Sequence, residues 1–167
     1  MTKTTTNSEQ LLAHKTECLI LFCIEEKTPS GKLAELDIKL KGILNSSFKN
    51  KRFEGKLNQT LLLNASKPMR ADHLLLVGLG EGLVVTADKL RQAAGTAAKL
   101  AEKSKFKTIS FYIPAENSAK DVYVGLDQSN DSFSQTVVEG SLLSLYHFDE
   151  YKQRSEERRV GKECRSR

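Results

Sequence analysis

Apolar residues fall along this chain in short blocks of two kinds, and the way the kinds alternate predicts the fold. Cys18 to Ile24 (CLILFCI) is apolar throughout and too short for a buried helix. Glu25, Glu26 and the turn Thr28-Pro29-Ser30-Gly31 bound it, so it predicts a strand buried on both faces. Leu33, Leu36, Leu40, Ile43 and Leu44 then recur at helical spacing with lysines and acids between them, which predicts one amphipathic helix with Ser30 as its cap. The glycine turn in Phe53-Glu54-Gly55-Lys56 leads to a strand around Gln59 to Asn64, ended by Lys67-Pro68.

His73 to Leu79 (HLLLVGL) predicts a second fully apolar strand, running into Gly80-Glu81-Gly82. Thr86 to Ser104 predicts an alanine-rich helix whose small face (Leu90, Ala93, Ala94, Ala97, Leu100) permits close approach to a sheet. Lys107 to Ile113 is the next strand, stopped by Pro114. The following stretch is polar apart from Val122 to Leu126, which fits strand or helix equally. Ser134 to Phe148 predicts a last helix with Val138, Leu142 and Leu145 on one face and Val137 and Tyr146 beside it. Alternating strands and helices of this kind predict an α/β fold, a three-layer α/β/α sandwich around a mixed, mainly parallel sheet.

The end of the chain changes the electrostatic picture. Arg154 to Arg167 (RSEERRVGKECRSR) has Val160 as its one aliphatic residue and no helical or strand period, and as a whole string it resembles a synthetic sequencing-library adapter translated in one frame. The expected organisation is a flexible N-terminal segment (1–17), one domain (18–152) and a non-native or disordered tail (153–167), with a natural chain that continues differently past Gln153. Six of the 26 Lys and Arg residues and three of the 21 acids lie in that tail, so the first 153 residues carry 20 bases against 18 acids. A net charge of +5 therefore falls to +2, and most of the apparent affinity for nucleic acid or membranes goes with it. No apolar run approaches the length of a membrane span, and Met1 to Gln10 lacks the apolar stretch of a secretory signal. A soluble cytoplasmic protein is expected.

Candidate chemistry is sparse. Val77-Gly78-Leu79-Gly80-Glu81-Gly82 stands between a strand and a helix as a phosphate-binding loop would, but Leu83 occupies the place of the third fingerprint glycine and no Gly-Lys-Ser/Thr follows. A tight turn explains these glycines as well. His14, His73 and His147 are scattered without metal-ligand spacing, and Glu25-Glu26 and Asp149-Glu150 are adjacent pairs that point apart. Ser66, Ser104 and Ser110 lack the context of a nucleophile, and Cys18 and Cys23, on opposite faces of one strand, read as core thiols. Lys49, Lys51, Arg52 and Lys56 cluster around Phe48 and Phe53, which fits either a solvated loop or a contact with phosphate. No residue is assigned as catalytic, cofactor-binding or metal-binding, and the alternative to a non-catalytic role is a nucleic-acid or nucleotide-binding module.

Three blocks nevertheless resemble the N-terminal domain of the cytosolic leucyl aminopeptidases, a two-metal peptidase family. They are Phe53-Glu54-Gly55-Lys56 with Gln59 to Leu63; His73 to Gly80 leading to Leu90-Arg91-Gln92-Ala93; and Glu139-Gly140 with Leu142-Leu143 and Tyr146 to Lys152. The resemblance implies a macro-domain-like fold. It also implies that the chemistry, performed with two divalent metals (manganese or zinc), lies in a separate C-terminal domain whose Asn-Thr-Asp-Ala-Glu-Gly-Arg signature is absent from this sequence. The implied partners are that catalytic domain and the neighbouring subunits of a homohexamer. Kinship to macro domains also suggests an ADP-ribose pocket between Asn64-Ala65 and the Gly78 to Gly82 loop, although Lys67-Pro68-Met69-Arg70 stands where a glycine-rich loop would be needed.

Overall fold

In the computed structural model, residues 3–5, 11–65, 67–82, 85–113 and 130–146 are described. Their elements run β1 (Cys18–Cys23), α1 (Gly31–Lys39), α2 (Ile43–Lys49), β2 (Thr60–Asn64), β3 (His73–Gly78), α3 (Ala87–Lys103), β4 (Ile109–Phe111) and α4 (Asn130–Ser144). The strand order is β2-β3-β1-β4. β1 pairs in parallel with β3, Cys18 opposite His73 and Cys23 opposite Gly78, and in parallel with β4 on its other side. β2 is antiparallel to β3, with Thr60 opposite Val77 and Asn64 opposite His73. The helices between β1 and β3 supply the long crossover that a parallel pair needs, whereas a short link suffices to return β2 alongside β3. Val122 to Leu126 lies outside the described residues.

Both central strands are buried on both faces, as their unbroken apolar runs predict. Cys18 and Ile20 of β1 and Leu75 and Val77 of β3 point to one side, where they pack with Leu90, Ala93, Ala94 and Ala97 of α3 and with Phe133 and Val137 of α4. Leu19, Leu21, Cys23, Leu74 and Leu76 point to the other, against Leu36, Leu44, Phe48 and Phe53. Leu74, Leu75 and Leu76 are fully buried in succession, so one strand feeds both cores, and each such side chain contributes about 1.5–3 kcal/mol. The three layers of the expected sandwich are therefore present. The chain before β1 is fastened to it as well: the N–H groups of Arg70, Asp72 and His73 donate to the carbonyls of Leu12, Thr16 and Glu17.

Two helices replace the single one expected over Leu33 to Leu44. α1 ends at the C-cap Leu40, and Gly42, at φ 81° in the left-handed region, turns the chain before α2 begins. The Lys41 and Gly42 N–H groups close α1 by donating to the Ile38 and Asp37 carbonyls. The leucine spacing survives the break because both helices lay their apolar residues on the same sheet face. Ser30 occupies the N-cap position of α1, but its side chain makes no capping bond; its carbonyl receives the Leu33 and Ala34 N–H groups. At α3, by contrast, the Thr86 hydroxyl accepts the Lys89 N–H at 3.3 Å.

α4 begins at Asn130 and ends at Ser144, earlier at both ends than expected, with Asp131 in the first turn where the helix dipole favours an acid. Its buried side is also not the predicted one. Phe133, Val137 and Gly140 face inward with Thr136 and Ser141, whose hydroxyls donate to the Ser132 and Val137 carbonyls at 2.7 and 2.8 Å and so tolerate burial. Leu142 faces solvent. β4 likewise keeps only Ile109–Phe111 of the strand expected over Lys107 to Ile113.

Candidate functional site

In open α/β sheets, ligands bind in the crevice beyond the carboxyl ends of the strands. Here that crevice lies where β1 and β3 end, beside Gly78-Leu79-Gly80-Glu81-Gly82, and the chain's own Phe53 to Asn58 segment fills it. The Gly80 N–H donates to the Gly55 carbonyl at 3.0 Å and the Gly78 N–H to the Gln59 carbonyl at 2.8 Å. Glu25 and Glu26 beyond β1 donate to the carbonyls of Gly80 and Glu54. The fit leaves no room for a side chain: a Cβ on Gly78 would overlap the Lys56 carbonyl, and one on Gly55, at φ 82°, would overlap the Ile24 carbonyl. The Gln59 carboxamide oxygen accepts the Glu54 and Lys56 N–H groups, fixing the plug from within. Gly78 and Gly80 therefore have no N–H left to offer a phosphate.

The proposed ADP-ribose pocket fails on register. Asn64 stands opposite His73 at the beginning of β3, and the glycine loop leaves from its end, roughly 16 Å away at the rise of a strand. The two halves of the pocket lie at opposite ends of the sheet.

The basic cluster is exposed at Lys49, Lys51, Arg52 and Lys56, but its aromatics are not. Phe48 and Phe53 are buried against each other edge-to-face at 5.4 Å, so no ring is available to stack on a base. Lys56 pairs with Glu54, whose carboxyl is held below its ordinary range first by the hydrogen bond from Lys56 and then by its charge.

The histidines bond to the framework. His73 Nδ1 lies 3.1 Å from the Glu17 carbonyl, and its ring packs on Phe106 at 4.7 Å. His14 Nε2 comes within 2.9 Å of Ser110 Oγ, a pairing across 96 positions that no local signal in the sequence reveals. The Ser110 hydroxyl also bonds to Thr16 Oγ1 at 3.2 Å, so His14, Ser110 and Thr16 form one chain of hydrogen bonds that ties the segment before β1 to β4. Cys18 and Cys23 face opposite cores, and burial pushes the Cys18 thiol up to about 11. Burial, then the nearby Glu26 charge, raises Cys23 too. Neither forms a thiolate nucleophile at neutral pH. Ser104 is the C-cap of α3. Ser66, His147, Asp149, Glu150 and Cys164 lie outside the described residues.

Among the described residues no group of three or more His, Cys, Asp and Glu side chains is placed to hold a metal ion, so they do not fit a two-metal centre. No helix among them is long and apolar enough to cross a membrane.

What the geometry does explain is the three motif blocks. The first plugs the end of the second through Gly55, Gly78 and Gly80, and the side chains of Asn58, Gln92 and Thr96 join them along α3. The second meets the third where Arg91 Nε donates to Glu139 Oε2 at 3.1 Å and Gly140 lies on the Arg91 backbone. In their described parts, the motifs are the joints of a scaffold.

Comparisons with known proteins agree. The sequence profile described as "Cytosol aminopeptidase family, N-terminal domain" matches residues 20–155. A probable cytosol aminopeptidase of Geobacter sp. (strain M21) is 34% identical over 156 residues, covering 93% of this chain and 29% of that protein. Another from Geotalea uraniireducens (strain Rf4) is 33% identical, covering 84% and 26%. The chain thus spans less than a third of these relatives. Among solved structures, a tomato leucine aminopeptidase mutant superposes with a TM-score of 0.61 at 18% identity, over 86% of this chain and 28% of that one. The macrodomain of Mycobacterium tuberculosis DarG gives 0.63 at 10% identity over 83% and 90%, a likeness of fold alone. The chain belongs to the cytosol aminopeptidase family, of which it represents the N-terminal domain.

Proposed function

We propose that this chain is the non-catalytic N-terminal domain of a metal-dependent leucyl aminopeptidase. In the parent, a C-terminal domain hydrolyses the first peptide bond with two divalent metals, and the domain described here packs against it and against neighbouring subunits of a homohexamer. One observation carries the reading: the family's motifs in this chain are spent on closing a strand-end crevice and joining α3 to α4. Leucine p-nitroanilide with manganese tests it. The purified chain is expected to give no turnover above buffer, and turnover that persists through removal of contaminating peptidases overturns the proposal.

A further inference from the structure

We infer that the exposed apolar surface at the C-terminal end of α4, formed by Leu142 and Leu143 of its last turn and by Tyr146 just beyond it, is the seat on which the catalytic part of the aminopeptidase chain docks. The inference rests on the reading of this chain as the N-terminal domain of such an enzyme. A helix on the outside of a sandwich ordinarily carries one apolar side. α4 carries two. Phe133, Val137 and Gly140 bury one side against α3 and the sheet, while Leu142 and Leu143 in the last turn, and Tyr146 two residues after the helix ends, stand 45%, 72% and 72% exposed. From Gly140 to Tyr146 the sequence holds no charged residue, and large apolar side chains grouped in this way on a surface mark an interaction site. Tyr146 adds the aromatic body with a polar tip that is favoured at the centre of protein interfaces.

The occupant follows from the further length of the relatives. The family match ends at residue 155, a few residues beyond this face, while the two relatives from Geobacter and Geotalea run on for about seven-tenths of their length. In those proteins the polypeptide continues in sequence beyond the positions matched to Leu143 and Tyr146, and tethering gives it an advantage over any free partner at that surface. Among the described residues the other exposed large hydrophobics, Ile38, Ile43, Leu57 and Leu62, belong to α1, α2, β2 and the segment before β2, on elements other than α4.

The experiment compares the free chain with a chimera in which residues 1–155 replace the matched N-terminal stretch of the Geobacter sp. (strain M21) protein. Hydroxyl-radical labelling, read by mass spectrometry, is expected to modify Leu143 and Tyr146 readily in the free chain and several-fold more slowly in the chimera. The double substitution Leu143→Lys, Tyr146→Lys is expected to leave the thermal midpoint of the free chain unchanged and to lower that of the chimera. Equal labelling in a folded, active chimera overturns this inference and leaves the family role standing. Protection in the free chain that rises with its concentration makes a second copy the occupant, which also overturns it. A chimera that does not fold counts against the family role itself, and the inference falls with it.

Discussion

Gly140 lies so close to Arg91 that a Cβ at position 140 would overlap the Arg91 carbonyl oxygen. The same two turns are joined at their rim by the ion pair from Arg91 to Glu139. At this crossing α3 and α4 therefore meet backbone to backbone, and a residue without a side chain sets how near they come. Gly140→Ala is expected to force the helices apart and destabilise the domain by about 1–3 kcal/mol. Gly95→Ala makes the contrast, since its Cβ would meet Ser144 Cβ at 3.0 Å and the Gly140 carbonyl oxygen at 3.2 Å, and alanine favours the helix by about 1 kcal/mol. Urea unfolding of the two variants should separate them clearly, and equal losses would mean that the crossing is not controlled at Gly140.

Asp37 fastens α1 to α2. Its carbonyl accepts the Gly42 N–H at 2.9 Å, and its Oδ1 accepts the Leu44 and Asn45 N–H groups at 2.8 and 3.2 Å, capping a helix whose own N-cap, Gly42, has no side chain to do so. Asp37→Ala is expected to cost about 1 kcal/mol, and Asp37→Asn, which keeps an oxygen acceptor, to cost less. Thermal unfolding of the pair measures this. Equal midpoints for Ala and wild type would show that solvent serves those N–H groups as well.

Lys105 sits at φ 59° just past the C-cap Ser104, where its N–H and that of Phe106 close α3 on the Glu102 and Ala101 carbonyls. Lys41 and Lys51 occupy the same place after α1 and α2, at φ 58° and 54°. A side chain in this region costs roughly 1–2 kcal/mol, whereas glycine is the usual occupant. Lys105→Gly is therefore expected to stabilise by about 0.5 kcal/mol after the greater freedom of the unfolded chain is counted. Lys105→Ala, which retains the Cβ, should give no gain. If both variants stabilise equally, the lysine charge and not the backbone is responsible.

Glu139 accepts from the Gln135 amide at 2.8 Å and from Arg91, and these two bonds, in that order, hold its carboxyl below the usual range. Because the folded state prefers the ionised form, its contribution is fully present above the ordinary glutamate value of about 4.3 and fades as pH falls through the lower folded value. Glu139→Gln is expected to lower the urea midpoint at pH 7 and to show a deficit that shrinks as pH falls below the ordinary glutamate range. A deficit that stays the same size across that fall would assign the effect to packing.

How much of this could be read from the chain depended on the range of the interaction. The runs CLILFCI and HLLLVGL identified the central strands because burial on both faces leaves no polar position to confuse the period. Leu90, Ala93, Ala94 and Ala97 marked the inner side of α3 for a similar reason. The break at Gly42 was hidden because both helices keep one leucine spacing, and the Asp37 cap that compensates for it comes from the neighbouring helix. In α4 the leucine spacing marks a face the domain does not bury, while small residues on the side toward α3 permit the closer approach. The filled crevice could not be foreseen either, since Gly55 and Gly80 become partners only when the sheet assembles.

A tenant held on a short tether has no off-rate in the ordinary sense. Phe53 to Asn58 occupies its seat at an effective concentration that linkage alone puts on the order of millimolar, before Phe53 adds its burial beside Phe48. A free nucleotide arriving at Gly78 and Gly80 would have to evict that segment and draw a fully buried phenyl ring out of the core to hold it off. Macrodomain and aminopeptidase domain share a frame, but in this one the vacancy was let to the protein itself.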